Sequence, residues 1–287
     1  MSAAIIEAFF HEPTNTVTYL VADPATGAAA VIDPVLDYDP AAGTVDTTSA
    51  EAVLAKANAL GWRIEWVLET HVHADHLSAA PMFKQRTGAR VAIGAAISEV
   101  QSVFRPMFEA DDLKADCGDF DRLLKDGETI ALGELNIAVM AVPGHTCADV
   151  AYCIGDALFV GDSLFMPDYG TARTDFPGGC AHLLYRSIQR ILALPDATRL
   201  FMCHDYKAPG RDEFRWETTV AAERAHNVHL AGKSEDEFVA MRQARDATLP
   251  TPKLLLPAIQ VNIRAGRFPP AEANGVSYLR IPVKVRG

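Results

Sequence analysis

Thr70-His71-Val72-His73-Ala74-Asp75-His76 sets four candidate metal ligands close together, directly after the apolar run Ile64–Leu68. That run has the length and the β-branched and aromatic content of a buried strand, so the ligands fall on a loop at a strand end. Imidazole and carboxylate suit zinc, iron and similar divalent ions, and no thiolate cluster accompanies them, which argues against a closed structural zinc site. Positions 71 and 73 alternate, so two imidazoles can point one way while a turn sends Asp75 and His76 elsewhere; two adjoining metal pockets are the expectation.

Working outward, His145 lies in Val142-Pro143-Gly144-His145-Thr146, Asp162 in Val160-Gly161-Asp162-Ser163 and His204 in Leu200-Phe201-Met202-Cys203-His204-Asp205, each just past a predicted strand. Strand ends that each present a ligand type are how a rigid sheet edge assembles a metal site. A solitary histidine is ordinarily a core or surface residue. His11, His182, His226 and His229 lack a ligand neighbourhood and are given no role. Cys147 and Cys203, close to ligands in sequence, read as small buried apolar residues rather than catalytic thiols.

A net charge of −11 opposes nucleic-acid or anionic-membrane partners, which need a basic face. No apolar run approaches the roughly 18 residues of a membrane span and no signal-peptide pattern opens the chain, so a cytoplasmic location is expected. Five cysteines without CxxC spacing fit reduced thiols. Strands are predicted near Ile5–Phe10, Val17–Ala22, Ala29–Ile32, Arg90–Ile93, through Leu124–Val160, at Leu200–Cys203 and near Val276–Ile281. Helices are predicted after a capping-box pattern at Thr48-Ser49-Ala50-Glu51, at Ala79–Thr87, Ala95–Phe108 and Cys180–Leu194, and twice within Arg215–Thr248, before a Pro-rich apolar tail, Leu254–Ile263. Interleaved in this way they favour an α/β protein of two facing sheets with helices outside. One domain over residues 1–287 is expected, with residues from about 215 to 287 as a helical and extended extension packed on it.

The Thr70–His76 loop, Gly144-His145, Gly161-Asp162 and His204, in that order, resemble the metallo-β-lactamase superfamily. The resemblance implies a four-layer αββα sandwich, one metal served by His71, His73 and His145, a second by Asp75, His76 and His204, and Asp162 bridging. Gly170-Thr171-Ala172-Arg173-Thr174-Asp175-Phe176, the Cys180–Leu194 segment and Cys203-His204-Asp205-Tyr206 look like the persulfide dioxygenase branch, which is similar to glyoxalase II in fold. That branch implies a single Fe(II) per chain on His71, His145 and Asp162, with His73, Asp75, His76 and His204 around it. The substrates implied are glutathione persulfide and dioxygen, the products sulfite and glutathione. Two histidines and one carboxylate leave positions open on Fe(II), consistent with that chemistry.

The competing enzyme is a hydrolase with two Zn(II), acting on a glutathione thioester or another ester or lactone and supported by the complete ligand set. A metal-storing or sensing protein without turnover is the third reading. Glutathione carries two carboxylates, so an acidic protein must supply local cations and donors. Arg173, Tyr185 and Lys207 are the candidates; the alternatives are an intramolecular ion pair for Arg173, a core position for Tyr185 and a solvated loop charge for Lys207. Asp205 and Asp175 are candidates to orient an imidazole or the arginine, or to serve turns. A homodimer is compatible with the sequence.

Overall fold

The computed structural model describes residues 3–114 and 117–283. In chain order the elements are β1 (Ile5–His11), β2 (Thr16–Ala22), β3 (Ala28–Ile32), β4 (Val35–Asp39), β5 (Thr44–Asp46), α1 (Thr48–Ala59), β6 (Arg63–Leu68), β7 (Leu77–Ser78), α2 (Ala80–Thr87), β8 (Arg90–Gly94) and α3 (Ile97–Phe108). There follow β9 (Arg122–Leu124), β10 (Thr129–Leu132), β11 (Leu135–Ala141), β12 (Val150–Ile154), β13 (Ala157–Phe159), α4 (Ala181–Leu192), β14 (Arg199–Phe201), β15 (Glu217–Thr219), α5 (Val220–His226), α6 (Glu235–Asp246) and α7 (Leu255–Asn262).

The strands form two six-stranded sheets, β1-β2-β3-β6-β8-β9 and β10-β11-β12-β13-β14-β15, with a small sheet β5-β4-β7 beside them. Strand periodicity explains the layering, because successive side chains take opposite faces. In β2, Val17, Tyr19 and Val21 enter the core between the two large sheets, where they meet Ile137, Val139, Tyr152 and Phe159. Leu20 and Ala22 face the other way, onto α1, α2, α3 and α7 through Val53, Phe83, Val100 and Val261. On the second sheet Leu158 and Leu200 turn outward onto Leu184, Ile188 and Phe238 of α4 and α6. The result is the αββα sandwich.

β11 and β13 flank β12 antiparallel to it, and β13 pairs parallel with β14. Hence β11, β13 and β14 all end at the same edge. Across the sandwich, β6 ends beside them, and the isolated bridge Thr16 to His204 together with Val17 N–H donating to Cys203 O (2.8 Å) closes the two sheets there. The four loops that carry the predicted ligands therefore meet at one edge.

Three expectations need correction. Leu254–Ile263 is largely helical as α7; Pro257 is tolerated because it lies in the first turn, whose N–H groups have no intrahelical acceptor. No strand occurs near Val276–Ile281 among the described residues. There the tail is held by an amide in place of a ladder: Arg280 N–H donates to Gln260 Oε1 (2.8 Å) and Gln260 Nε2 to Arg280 O (2.9 Å). The capping box expected at Thr48 is not formed. Asp46 accepts from Thr48 N–H (2.7 Å) and Asp37 from Ser49 N–H (2.9 Å), serving the first turn of α1 from outside it. A capping box does form at Ser234 and Glu237, at the start of α6. No helix among the described residues is long and apolar enough to cross a membrane.

Candidate metal centre

The five imidazoles predicted as ligands are all buried, and each has one ring nitrogen fixed by an acceptor. His145 Nδ1 donates to Arg173 O (2.8 Å), His76 Nδ1 to Leu77 O (3.1 Å) and His204 Nδ1 to Asn15 O (3.2 Å). Thr70 Oγ1 gives its proton to Asp33 Oδ2 (2.8 Å), so it accepts from His71 Nδ1 (2.9 Å). His73 is reversed: its Nε2 donates to Asp33 Oδ1 (3.0 Å), leaving Nδ1 as the inward nitrogen. These partners set the ring orientations, and the remaining ring nitrogens point inward.

Most of those inward atoms have no hydrogen-bond partner among the described residues. His71 Nε2, His73 Nδ1, His76 Nε2, His204 Nε2 and Asp162 Oδ1 are buried and unsatisfied, a costly condition that a bound cation relieves. Asp162 Oδ2 lies 3.6 Å from His145 Nε2 and 3.9 Å from His71 Nε2. Its other oxygen is 3.3 Å from His204 Nε2, which is 3.6 Å from Asp75 Oδ2. Most of these separations exceed good hydrogen-bond length yet allow shared coordination. Two trios, His71 with His145 and Asp162, and His73 with Asp75 and His76, each bring one donor atom per residue within 4.8 Å of one another. The residues fit a metal, and the carboxylate of Asp162 lies between two groups of donors.

Electrostatics follow the same layout. Burial, then the neighbouring imidazoles, hold His71 well below its ordinary pKa and push His76 down to about 3. Burial opposes charge on His73 and His204 as well, but Asp33 and its hydrogen bond outweigh it for His73, and Cys203, Asp162 and Asp75 outweigh it for His204; both are held well above the usual value. Asp75 resists its burial and falls to about 2 because His204, His76 and His73 surround it. The carboxylates are strong enough to keep cationic charge at the centre.

Asp33 was not anticipated. It follows β3 in Ile32-Asp33-Pro34, and besides Thr70 Oγ1 and His73 it accepts from Thr70 N–H (2.7 Å), so one buried carboxylate fixes both ends of the His71–His73 run. Only the tertiary structure brings it there, 37 residues upstream of Thr70.

A cavity of about 760 Å³ opens over the centre, lined by Asp75, His76, His145 and Asp162. Of the three substrate candidates, Arg173 alone lines it. Its guanidinium is already engaged: Nε and Nη2 donate to the two oxygens of Asp175 (2.6 and 2.7 Å) and Nη1 to Pro250 O (2.8 Å). Tyr185 points into the α4–α6 interface, donating to Lys233 O (3.3 Å) and packing 5.4 Å from the ring of Phe238. Lys207 places Nζ 4.1 Å over the ring of Phe214 and does not line the cavity. Asp205 orients no imidazole; it pairs with Arg211 (2.6 Å) and fixes the turn after His204. The cations that do line the cavity without an ion pair among the described residues are Arg245, on α6, and Lys253, between α6 and α7. Phe165, Tyr169 and Tyr206 make its aromatic wall beside His204.

Residues around α5 and α6 also hold the loop behind His145. Asp246 Oδ2 accepts from Thr174 N–H (2.9 Å) and Oγ1 (3.0 Å), Arg242 Nη1 donates to Thr171 O (3.0 Å), and His229 Nδ1 accepts from Thr171 N–H (3.0 Å). Residues 171–174 are thereby pinned, and Arg173 within them offers the carbonyl that orients His145.

Comparison with known proteins agrees with this geometry. The family model described as the metallo-β-lactamase superfamily matches residues 11–204. A protein of Burkholderia pseudomallei named "Probable metallo-hydrolase" is 54% identical over 97% of this chain and 98% of its own length. Human "Persulfide dioxygenase ETHE1, mitochondrial" is 29% identical over 91% of this chain and 89% of its own. The crystal structure of ETHE1 from Myxococcus xanthus superposes with a TM-score of 0.74 at 33% identity, covering 92% of this chain and 100% of that one. The sandwich, the converging unsatisfied donors and the family match together place this chain in the metallo-β-lactamase superfamily.

Proposed function

We propose that the chain is a persulfide dioxygenase with one Fe(II) on His71, His145 and Asp162, taking glutathione persulfide, dioxygen and water to glutathione and sulfite. The observation that carries this reading is the convergence of His71 Nε2, His145 Nε2 and Asp162 Oδ2, with His145 and Asp162 facing the cavity. A ferrous ion held by two histidines and one carboxylate supplies open positions where a sulfur and dioxygen meet. The protein's own contribution is positioning. Arg173 O and Thr70 Oγ1 hold the two imidazoles in the tautomer that presents Nε2. Arg245 and Lys253 would take the glutathione carboxylates, and the aromatic wall would pack against the substrate beside the metal. Atoms balance: both oxygens of dioxygen and the oxygen of one water leave in sulfite, whose sulfur is the outer persulfide atom, and the S–S bond yields the thiol.

The second reading, a binuclear zinc hydrolase acting on a glutathione thioester, is favoured by a separate observation: Asp162 Oδ1 lies 3.3 Å from His204 Nε2, with Asp75 3.6 Å from the same atom. One preparation separates them. Protein purified anaerobically without added metal should contain one iron per chain and consume oxygen with glutathione persulfide, and His204→Ala should keep most of that iron. Two zincs per chain, loss of one of them in His204→Ala, and thioester hydrolysis without oxygen uptake would overturn the dioxygenase reading.

A further inference from the structure

The loop that carries His71 to His76 cannot join a sheet ladder and still turn its side chains inward. Its carbonyls must find donors elsewhere, because a buried backbone acceptor left alone is costly. Among the described residues no backbone N–H reaches the carbonyls of His73 or His76. One side chain serves both: Asn262 Nδ2 donates to His73 O (2.9 Å) and to His76 O (2.8 Å), while Asn262 Oδ1 accepts from Ser78 N–H (2.9 Å). Asn262 is 5% exposed, at the end of α7, some 186 residues from the loop in sequence.

The helix is placed for this contact. Ala258, Ile259 and Val261 sink into the core beneath the first sheet. Beyond the helix, Gln101 Nε2 donates to Ile263 O (2.8 Å). Gly266, at φ +84°, then allows the chain to pass where an added Cβ would lie 2.6 Å from Pro81 and 2.8 Å from Ser78 O. Three hydrogen bonds from one rigidly seated amide define where the backbone between His73 and Ser78 runs.

We infer that Asn262 is a positioning residue for the metal centre: it sets the direction in which His73, Asp75 and His76 present their donors, through the carbonyls of His73 and His76. The inference rests on His73, Asp75 and His76 binding a metal ion, as the two-metal reading has them; Co(II) held only by His71, His145 and Asp162 would leave the Asn262 variants at wild-type affinity.

Cobalt(II) is the probe, with affinity read by competition against a chromophoric chelator and ligand geometry read from the visible d–d bands. Asn262→Ala should weaken Co(II) binding by about tenfold to a hundredfold, the usual range for groups that orient ligands, and should change the band pattern. Asn262→Asp keeps the acceptor for Ser78 N–H at the same size and loses donation to both carbonyls; it should do the same, and it carries the test if the alanine variant fails to fold. Gln260→Ala is the control on the same helix, since Gln260 bonds Leu256 and Arg280 and not the loop. It should lower Tm and leave Co(II) affinity and spectrum unchanged. Wild-type affinity and bands in the Asn262 variants overturn the inference, as does an equal loss in Gln260→Ala at matched Tm. A wild-type protein that binds no Co(II) would instead overturn the metal site itself.

Discussion

Asp246→Ala removes the acceptor that ties α6 to the loop behind His145, and its cost follows from burial. Arg242 is fully buried, and its guanidinium meets Asp246 Oδ1 at 2.6 Å from Nη2 and 2.9 Å from Nε. Stripping a buried cation of its counter-ion costs about 3–5 kcal/mol. Thr174 N–H also loses its acceptor, worth about 1–3 kcal/mol when buried, but the two losses share one site and do not add fully. A net destabilisation of about 4 kcal/mol is expected, roughly 10 °C in Tm for a chain of this size. Urea unfolding at neutral pH measures it, provided the m-value is unchanged. The paired replacement Arg242→Met with Asp246→Leu strands no charge and should recover about 2 kcal/mol of that loss. A loss under about 1 kcal/mol in Asp246→Ala, or equal losses in the single and paired variants, would refute the account.

Substrate recognition and pH give two more tests. Because the fork of Arg173 is occupied by Asp175, Arg173→Ala should raise KM for glutathione persulfide less than about threefold, whereas Arg245→Ala and Lys253→Ala should each raise it about tenfold; the reverse order in steady-state oxygen uptake refutes this placement. Burial of Glu223 beneath the 166–170 loop, reinforced by Asp168, pushes its carboxyl up to about 8 despite a hydrogen bond from Asn227. An acid raised in the folded state contributes stability that is fully present below its unfolded pKa near 4.5 and is lost as pH rises through 8. Glu223→Gln should therefore flatten the decline in stability between pH 5.5 and 8.5, by on the order of 3 kcal/mol. A variant with the wild-type slope would show that Glu223 is ionised in the native protein.

What the sequence determined by itself is local and periodic. Strand runs such as Val17–Ala22 and Ile64–Leu68 carry the alternation and β-branching that the sheets require, and the predicted ligands His71, His145, Asp162 and His204 each follow a strand. Ligand type and strand-end position are both written in neighbouring residues, so the candidate metal centre is legible there. Thr70 and Leu77 orient His71 and His76 from next door, but the rest of what orients it depends on long-range contact. Asp33, Asp246 and Asn262 are single polar residues in unremarkable local settings, and they act only where folding brings them onto another segment's backbone. The substrate candidates show the same limit: which partner a side chain takes is set by packing, so Tyr185 lies in the α4–α6 interface and Arg173, though at the cavity, is engaged by Asp175. The cations at the cavity without an ion pair among the described residues are Arg245 and Lys253, in a segment whose place over the site is decided by how α6 and α7 bury their apolar faces.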